Sequence, residues 1–297
     1  MVAAPRPLVG AVLLLFVSAA WGSAFPLMKD LIDRIPVADL LAERYGVATL
    51  ALFLLRPRCL RGLPEQTWIT GILLGLLFGV GQTAQAVALH DLPSPVSGFT
   101  VGSYVVITPV LGLILLGARL SGRTWTAVAL ATAAMTAFTL LRGGGETDIS
   151  LPALVLTLLS AILYSAHTLV LGSFERARQD AYAVAVIQLG VIAVMTGILA
   201  VPDGITLPAT PADWTILGHL SIVACALGFL ARSFGQVHVP PAPAAVILSA
   251  QPLWVTALAA VVYGEALTWA VLLGGALIAT AMLLTVLPGG RSARGPS

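Results

Sequence analysis

Residues 8–28 read LVGAVLLLFVSAAWGSAFPLM, 21 positions without one charged side chain. At 1.5 Å of rise per residue, such a helical run reaches about 30 Å, the thickness of a bilayer's hydrocarbon core. The pattern recurs along the chain. Comparable runs are read at 37–55, 67–89, 95–117, 125–141, 151–172, 181–201, 214–234, 242–263 and 268–287. Of the 297 residues, 58% are hydrophobic and 9% charged, against about 25% charged in an ordinary soluble domain. That leaves too little polar surface for a globule in water. Backbone groups in hydrocarbon must be satisfied within their own segment, so the runs are helices and not strands. The expected fold class is an all-α membrane protein with ten transmembrane helices. Arg6 before an apolar run has the outline of a signal peptide. Nine more runs follow, and no small-residue cleavage site precedes a soluble domain, so the first run is read as a retained helix.

Basic residues in short loops mark the cytoplasmic side. With the N-terminus inside, the inner segments carry Arg6, then Arg56, Arg58 and Arg61, then Arg119 and Arg123, then Arg176 and Arg178, then Arg291 and Arg294. The outer segments carry Lys29, Arg34 and Arg142, together with most of the acids, including Asp30, Asp91, Asp213 and Glu265. Both termini are expected in the cytoplasm, with 291–297 as a short tail, in a multi-pass protein of the plasma (inner) membrane. The net charge of +2 then describes orientation and contact with anionic lipid, not nucleic-acid binding.

Residues 1–145 and 150–290 each hold five runs, joined by the Gly-rich stretch 142–148. An odd count sends the second half into the membrane from the opposite side, the inverted repeat of many secondary transporters. The residues carry this further. AWGSAFPLMK at 20–29 resembles the opening signature of the EamA family of the drug/metabolite transporter superfamily, and Arg44-Tyr45 resembles its second-helix pair. AAVILS at 244–249, Gln251-Pro252, GEALT at 264–268, and then Gly274-Gly275 resemble its closing motif. In the first half the counterpart of Gly264-Glu265 is Gly117-Ala118, so the Glu is missing, and the spacing from Pro109 is four residues shorter. The resemblance implies a central cavity and export of small metabolites, amino-acid-like or amphipathic.

Ionisable groups inside a bilayer face the bundle interior. Arg44 either binds a substrate carboxylate or pairs with an acid on another helix. Its neighbour Glu43 either accepts a coupling proton or pairs with Lys29. His167, beside Tyr164, is a second proton-coupling candidate or a hydrogen-bonded structural residue. Gln82, Gln85, Gln188 and Gln251 read as interhelical hydrogen-bonders. Arg232, near the inner end of its run, is expected to snorkel to the headgroups. The expected substrate-binding set is Trp21, Phe25, Arg44, Gln82, Gln85, Tyr104, Tyr164, His167 and Trp254, rings for an apolar solute with a few polar groups to orient it. Trp68, Trp125, Trp214 and Trp269 fall at run ends, as interfacial anchors do.

Gly71, Gly75 and Gly79 recur every four residues, a spacing that lets helices approach closely. Pro26 reads as a helix end and Pro252 as a kink inside its run. Cys59 and Cys225 give neither a disulfide framework nor a zinc pattern. No phosphate loop, zinc motif or nucleophile elbow is present, so no cofactor or metal is expected. The reading is transport of a small-molecule substrate, proton-driven or driven by its own gradient, by alternating access. The alternative is an intramembrane enzyme with Glu43 and His167 as acid and base.

Overall fold

A computed structural model of the chain describes residues 6–92, 94–118, 120–141, 150–173, 180–263 and 269–286. The joint 142–148, the motif at 264–268, the tail 291–297 and the basic residues Arg119, Arg176 and Arg178 lie outside the described residues. Those described are all helical, with no strand. The helices are α1 (Pro7–Ile32), α2 (Val37–Leu55), α3 (Glu65–His90), α4 (Ser94–Gly102), α5 (Tyr104–Leu116), α6 (Gly122–Leu141), α7 (Leu151–Ser173) and α8 (Ala181–Ala200). After them come α9 (Pro211–His219), which runs through the π-helical Leu220–Leu227 into α10 (Gly228–His238), then α11 (Pro241–Leu248), α12 (Gln251–Tyr263) and α13 (Trp269–Val286).

Among the described residues, six helical runs are long and apolar enough to cross a membrane, against the ten expected. They are Pro7–Ile32, Glu65–His90, Val96–Leu116, Leu151–Ser173, Ala181–Ala200 and Pro211–His238. Two of the missing runs have local reasons. The ninth run is split into two short helices, α11 and α12. In α2, Asp39, Glu43 and Arg44 interrupt the apolar sequence. The outward faces of the described helices are mainly apolar. Leu54, Ile114, Ile198 and Trp269 are all exposed, as a surface in contact with acyl chains requires.

Two runs are broken, the fourth at Ser103 and the ninth at Ser249-Ala250. At both breaks the backbone tightens to i→i−3 bonds, Ser103 N to Thr100 O and Ala250 N to Ile247 O. Pro252, read as a kink inside its run, lies just after the second break. It stands at the second position of α12, where its missing N–H leaves Leu248 O without the usual i+4 donor. Pro26, read as a helix end, lies inside α1, which continues to Ile32.

Packing pairs the two halves symmetrically. Helix α2 lies along α8, and α6 along α13. Helix α1 packs on α10 as α3 packs on α7, and α1 meets α12 as α5 meets α7. Exchanging the first five runs for the last five maps α2–α8 and α6–α13 onto themselves and each of the other pairs onto its counterpart.

The glycine ladder of α3 explains its closest approach. A Cβ on Gly71 would meet Ile187 Cγ2 at 2.7 Å, on Gly75 Val191 Cβ at 2.6 Å, and on Gly79 Met195 Cε at 2.8 Å. All three neighbours are on α8, so the ladder is a contact stripe between two helices.

The helix ends are tied by polar contacts. Thr210 and Asp213 form a capping box at the start of α9. Arg34, just after α1, bridges Asp213 at 2.7 Å and Asp30 at 2.9 Å. The Arg34 side chain is 46% exposed, so the bridge is largely screened. Arg34→Ala is expected to cost no more than about 1 kcal/mol of stability. The check is thermal unfolding in detergent at low and high salt, with the difference shrinking at high salt.

Candidate functional site

At the centre of the bundle, eight helices turn side chains into one cavity. From α1 come Trp21, Ala24, Phe25 and Met28, one face at helical spacing. From α2 come Arg44 and Tyr45, and from α3 Phe78, Gln82 and Gln85. Val101, Tyr104, Tyr164, Thr168, Arg232 and Gln251 complete the wall from α4, α5, α7, α10 and α12. The broken runs thus reach the cavity on either side of the first break and just after the second.

Rings make up much of this wall. Phe78 lies 4.7 Å from both Tyr164 and Phe229, and 5.3 Å from both Trp21 and His167, centroid to centroid. These tilted and edge-on contacts suit aromatic quadrupoles. Trp21 is also fixed by its N–H, which donates to Ala224 O at 2.9 Å in the π-helical segment. A Cβ on Gly228 would lie 2.9 Å from Trp21 Nε1, so glycine is what admits the indole against the widened helix. Tyr45 and Tyr164 donate to Gln82 Oε1 at 3.3 Å and to Gln85 Oε1 at 2.7 Å.

Two guanidiniums face this space. Arg44, 4% exposed, donates to Cys225 Sγ at 3.3 Å, Met28 Sδ at 3.2 Å and Tyr45 Oη at 3.3 Å. Arg232, 2% exposed, donates to Thr168 Oγ1 at 2.6 Å and His167 Nδ1 at 3.2 Å, and lies 5.1 Å from the Trp21 ring. Among the described residues neither guanidinium has a carboxylate within salt-bridge distance. Arg44 therefore makes no structural ion pair there. Arg232, expected to snorkel, is instead buried. Its missed signal is the stripe Gly228, Arg232, Gly235 and Gln236, small or polar at helical spacing and so turned inward rather than to lipid.

The structure gathers Trp21, Phe25, Arg44, Gln82, Gln85, Tyr104 and Tyr164 around one space, and sets His167, Glu43 and Trp254 elsewhere. His167 stands behind the wall. Its Nδ1 receives the Arg232 N–H, so its Nε2 proton goes to Gln188 Oε1 at 2.7 Å. Both ring nitrogens are thereby engaged. Glu43 does not line the cavity, and both its carboxylate oxygens are buried without a hydrogen-bond partner. Lys29, its expected partner, donates instead to the carbonyls of Leu89, His90 and Leu92 at the end of α3. Trp254 is 38% exposed and faces an outer apolar groove with Leu8, Val12 and Met282. The cause is Gly22, where a Cβ would sit 2.7 Å from Trp254 Cβ. The two helices are too close there for an indole to turn inward. Phe78, Met28, Thr168 and Gln251 line the cavity without having been in the expected set. Cys59 and Cys225 are both free.

The description of the EamA-like transporter family matches residues 8–140 and again 151–287. The chain belongs to the EamA-like transporter family. It is a multi-pass membrane protein with two EamA repeats, and members of this family are transporters rather than enzymes. A solved crystal structure is similar over 92% of this chain and 95% of its own, with a TM-score of 0.72 and 19% sequence identity. At that identity the likeness shows a shared fold. No curated relative matches the chain. In the EamA frame, the cavity takes side chains from both repeats, with Arg44 in the first and Arg232 in the second. It offers about 40 Å³ to the centres of water molecules, room for a few waters. Any metabolite larger than that must be admitted by a movement of the walls.

Proposed function

We propose that this EamA-like protein is a secondary transporter that exports small amphipathic metabolites across the plasma membrane by alternating access. The observation that carries the reading is the central cavity, lined from both repeats and too small to hold a metabolite without a movement of the halves. Ten spans, five per repeat, give two repeats of opposite orientation. The exchange symmetry of the helix pairs and the breaks in the fourth and ninth runs support that arrangement. The loop arginines place both termini in the cytoplasm. Export as the direction comes from the family resemblance. The intramembrane-enzyme alternative needs an acid and a base in one cleft, whereas Glu43 lies off the cavity and His167 is engaged behind its wall.

The testing experiment is uptake of a pooled metabolite mixture into proteoliposomes, with and without an imposed pH gradient. Accumulation of a compound supports transport; absence of flux for every compound counts against it. Glu43 is the proton-coupling group of this proposal, because its carboxylate is enclosed and no salt bridge must break for it to exchange a proton. His167 has no free ring nitrogen for that task. Glu43→Gln is expected to lose gradient-driven accumulation, at least about tenfold, while equilibrium exchange of the same compound persists. Unchanged accumulation would remove Glu43 from the mechanism.

A further inference from the structure

We infer that the cavity recognises an organic anion lacking an ammonium group, and discriminates against α-amino acids and amines, with Arg44 and Arg232 holding the acidic group from opposite repeats. This deepens the transport reading above and rests on it for the site's role.

Two buried cations in a bilayer-embedded core call for anionic partners. Two cations near helix ends have strong acceptors: Lys29 has three carbonyls and Arg34 two carboxylates. Arg44 has two sulfurs, which are weak acceptors, and one phenol. Arg232 has a hydroxyl and an imidazole, and its Nε is buried without a partner. The hydroxyl of Tyr104, on the same wall, is likewise buried and unpartnered. The free capacity of the site is thus donor capacity and positive charge. Guanidinium is the group that matches carboxylate geometry.

An ammonium group meets the opposite conditions. Among the described residues, no Asp or Glu lines the cavity. The amide oxygens of Gln82 and Gln85 each already accept one hydrogen bond, from the Tyr45 and Tyr164 hydroxyls, and neither carries a negative charge. The ammonium of an amino acid would enter beside two guanidiniums with no counter-charge. The amino-acid-like substrates implied by the family resemblance are therefore disfavoured here. The rings of Trp21, Phe25 and Phe78 suit an apolar or aromatic body on the anion.

The test uses two matched triads: 3-phenylpropionate, phenylalanine and phenethylamine; and indole-3-propionate, tryptophan and tryptamine. Binding to the purified protein is read by calorimetry, and movement by counterflow in proteoliposomes. The expected result is that the carboxylate of at least one triad binds about 30-fold or more tightly than its amino acid and amine. Arg44→Gln and Arg232→Gln should each remove that preference, and Arg232→Lys should restore part of it, which separates lost charge from lost folding. Equal or tighter binding of an amino acid or amine overturns the inference. So does carboxylate binding that survives both glutamine variants, or no carboxylate binding in either triad. Counterflow of tryptophan or an amine would sink the anion inference and leave transport standing. Carboxylate binding without counterflow would do the reverse.

Discussion

Arg232→Ala is expected to reduce transport by at least about 30-fold while leaving the protein inserted and helical. Removing one member of a buried charged contact costs about 2–5 kcal/mol, and 2 kcal/mol is about 30-fold in an equilibrium constant. The residue has three local roles. It donates to Thr168, engages His167 Nδ1, and lies over the Trp21 ring. Its loss removes half of the positive charge that faces the cavity. Initial rates in proteoliposomes, with helix content checked by circular dichroism, give the comparison. Arg44→Ala should behave alike, since among the described residues its hydrogen-bond acceptors are Cys225, Met28 and Tyr45. A variant that transports at the parental rate would mean that the arginines serve packing and not substrate.

The second large effect is on stability, and its sign depends on which glycine is changed. In Gly75→Ala the new Cβ would lie 2.6 Å from Val191 Cβ and 3.0 Å from Gln188 O. Neither is the far end of a flexible side chain, so α3 and α8 must separate. The expected cost is about 1–3 kcal/mol, seen as a lower unfolding temperature in detergent. Gly197→Ala, in α8 with nothing within 4 Å of its Cβ, should instead stabilise by about 0.5–1 kcal/mol, because alanine suits a helix better than glycine. If both variants moved the same way, the glycine ladder would not be the contact stripe described here.

The ladder shows what the sequence makes legible. Its four-residue spacing marks a close helix contact, though which helix it meets depends on tertiary packing. Apolar length locates helices well, since 37–55 coincides with α2. It is blind to the breaks at Ser103 and Ser249-Ala250, because hydropathy does not change across them. Prolines mislead in both directions: Pro26 passes inside α1, and Pro252 opens a helix. The π-helical segment carries no local signal, as its Trp21 partner is about 200 residues away. Site residues on one helical face, such as Phe25 and Arg44, can be read because polar or ring side chains in an apolar run point inward. Arg232 could be misread because proximity to a helix end favours snorkelling. Trp254 could be misread because nothing near it in sequence reveals Gly22 on the opposing helix.

The measurement that tests the central claim most directly is the accessibility of a single cysteine in the cavity wall. Ala24 lines the cavity and is buried. Ala24→Cys would be made in a background of Cys59→Ser and Cys225→Ser, the serine hydroxyl at 225 still accepting from Arg44. A membrane-impermeant maleimide is then applied to right-side-out and to inside-out vesicles. Alternating access predicts labelling from each face, with a condition that promotes labelling from one face suppressing it from the other. Labelling from one face only, under every condition, would contradict alternating access, and so would labelling from both faces that rises and falls together.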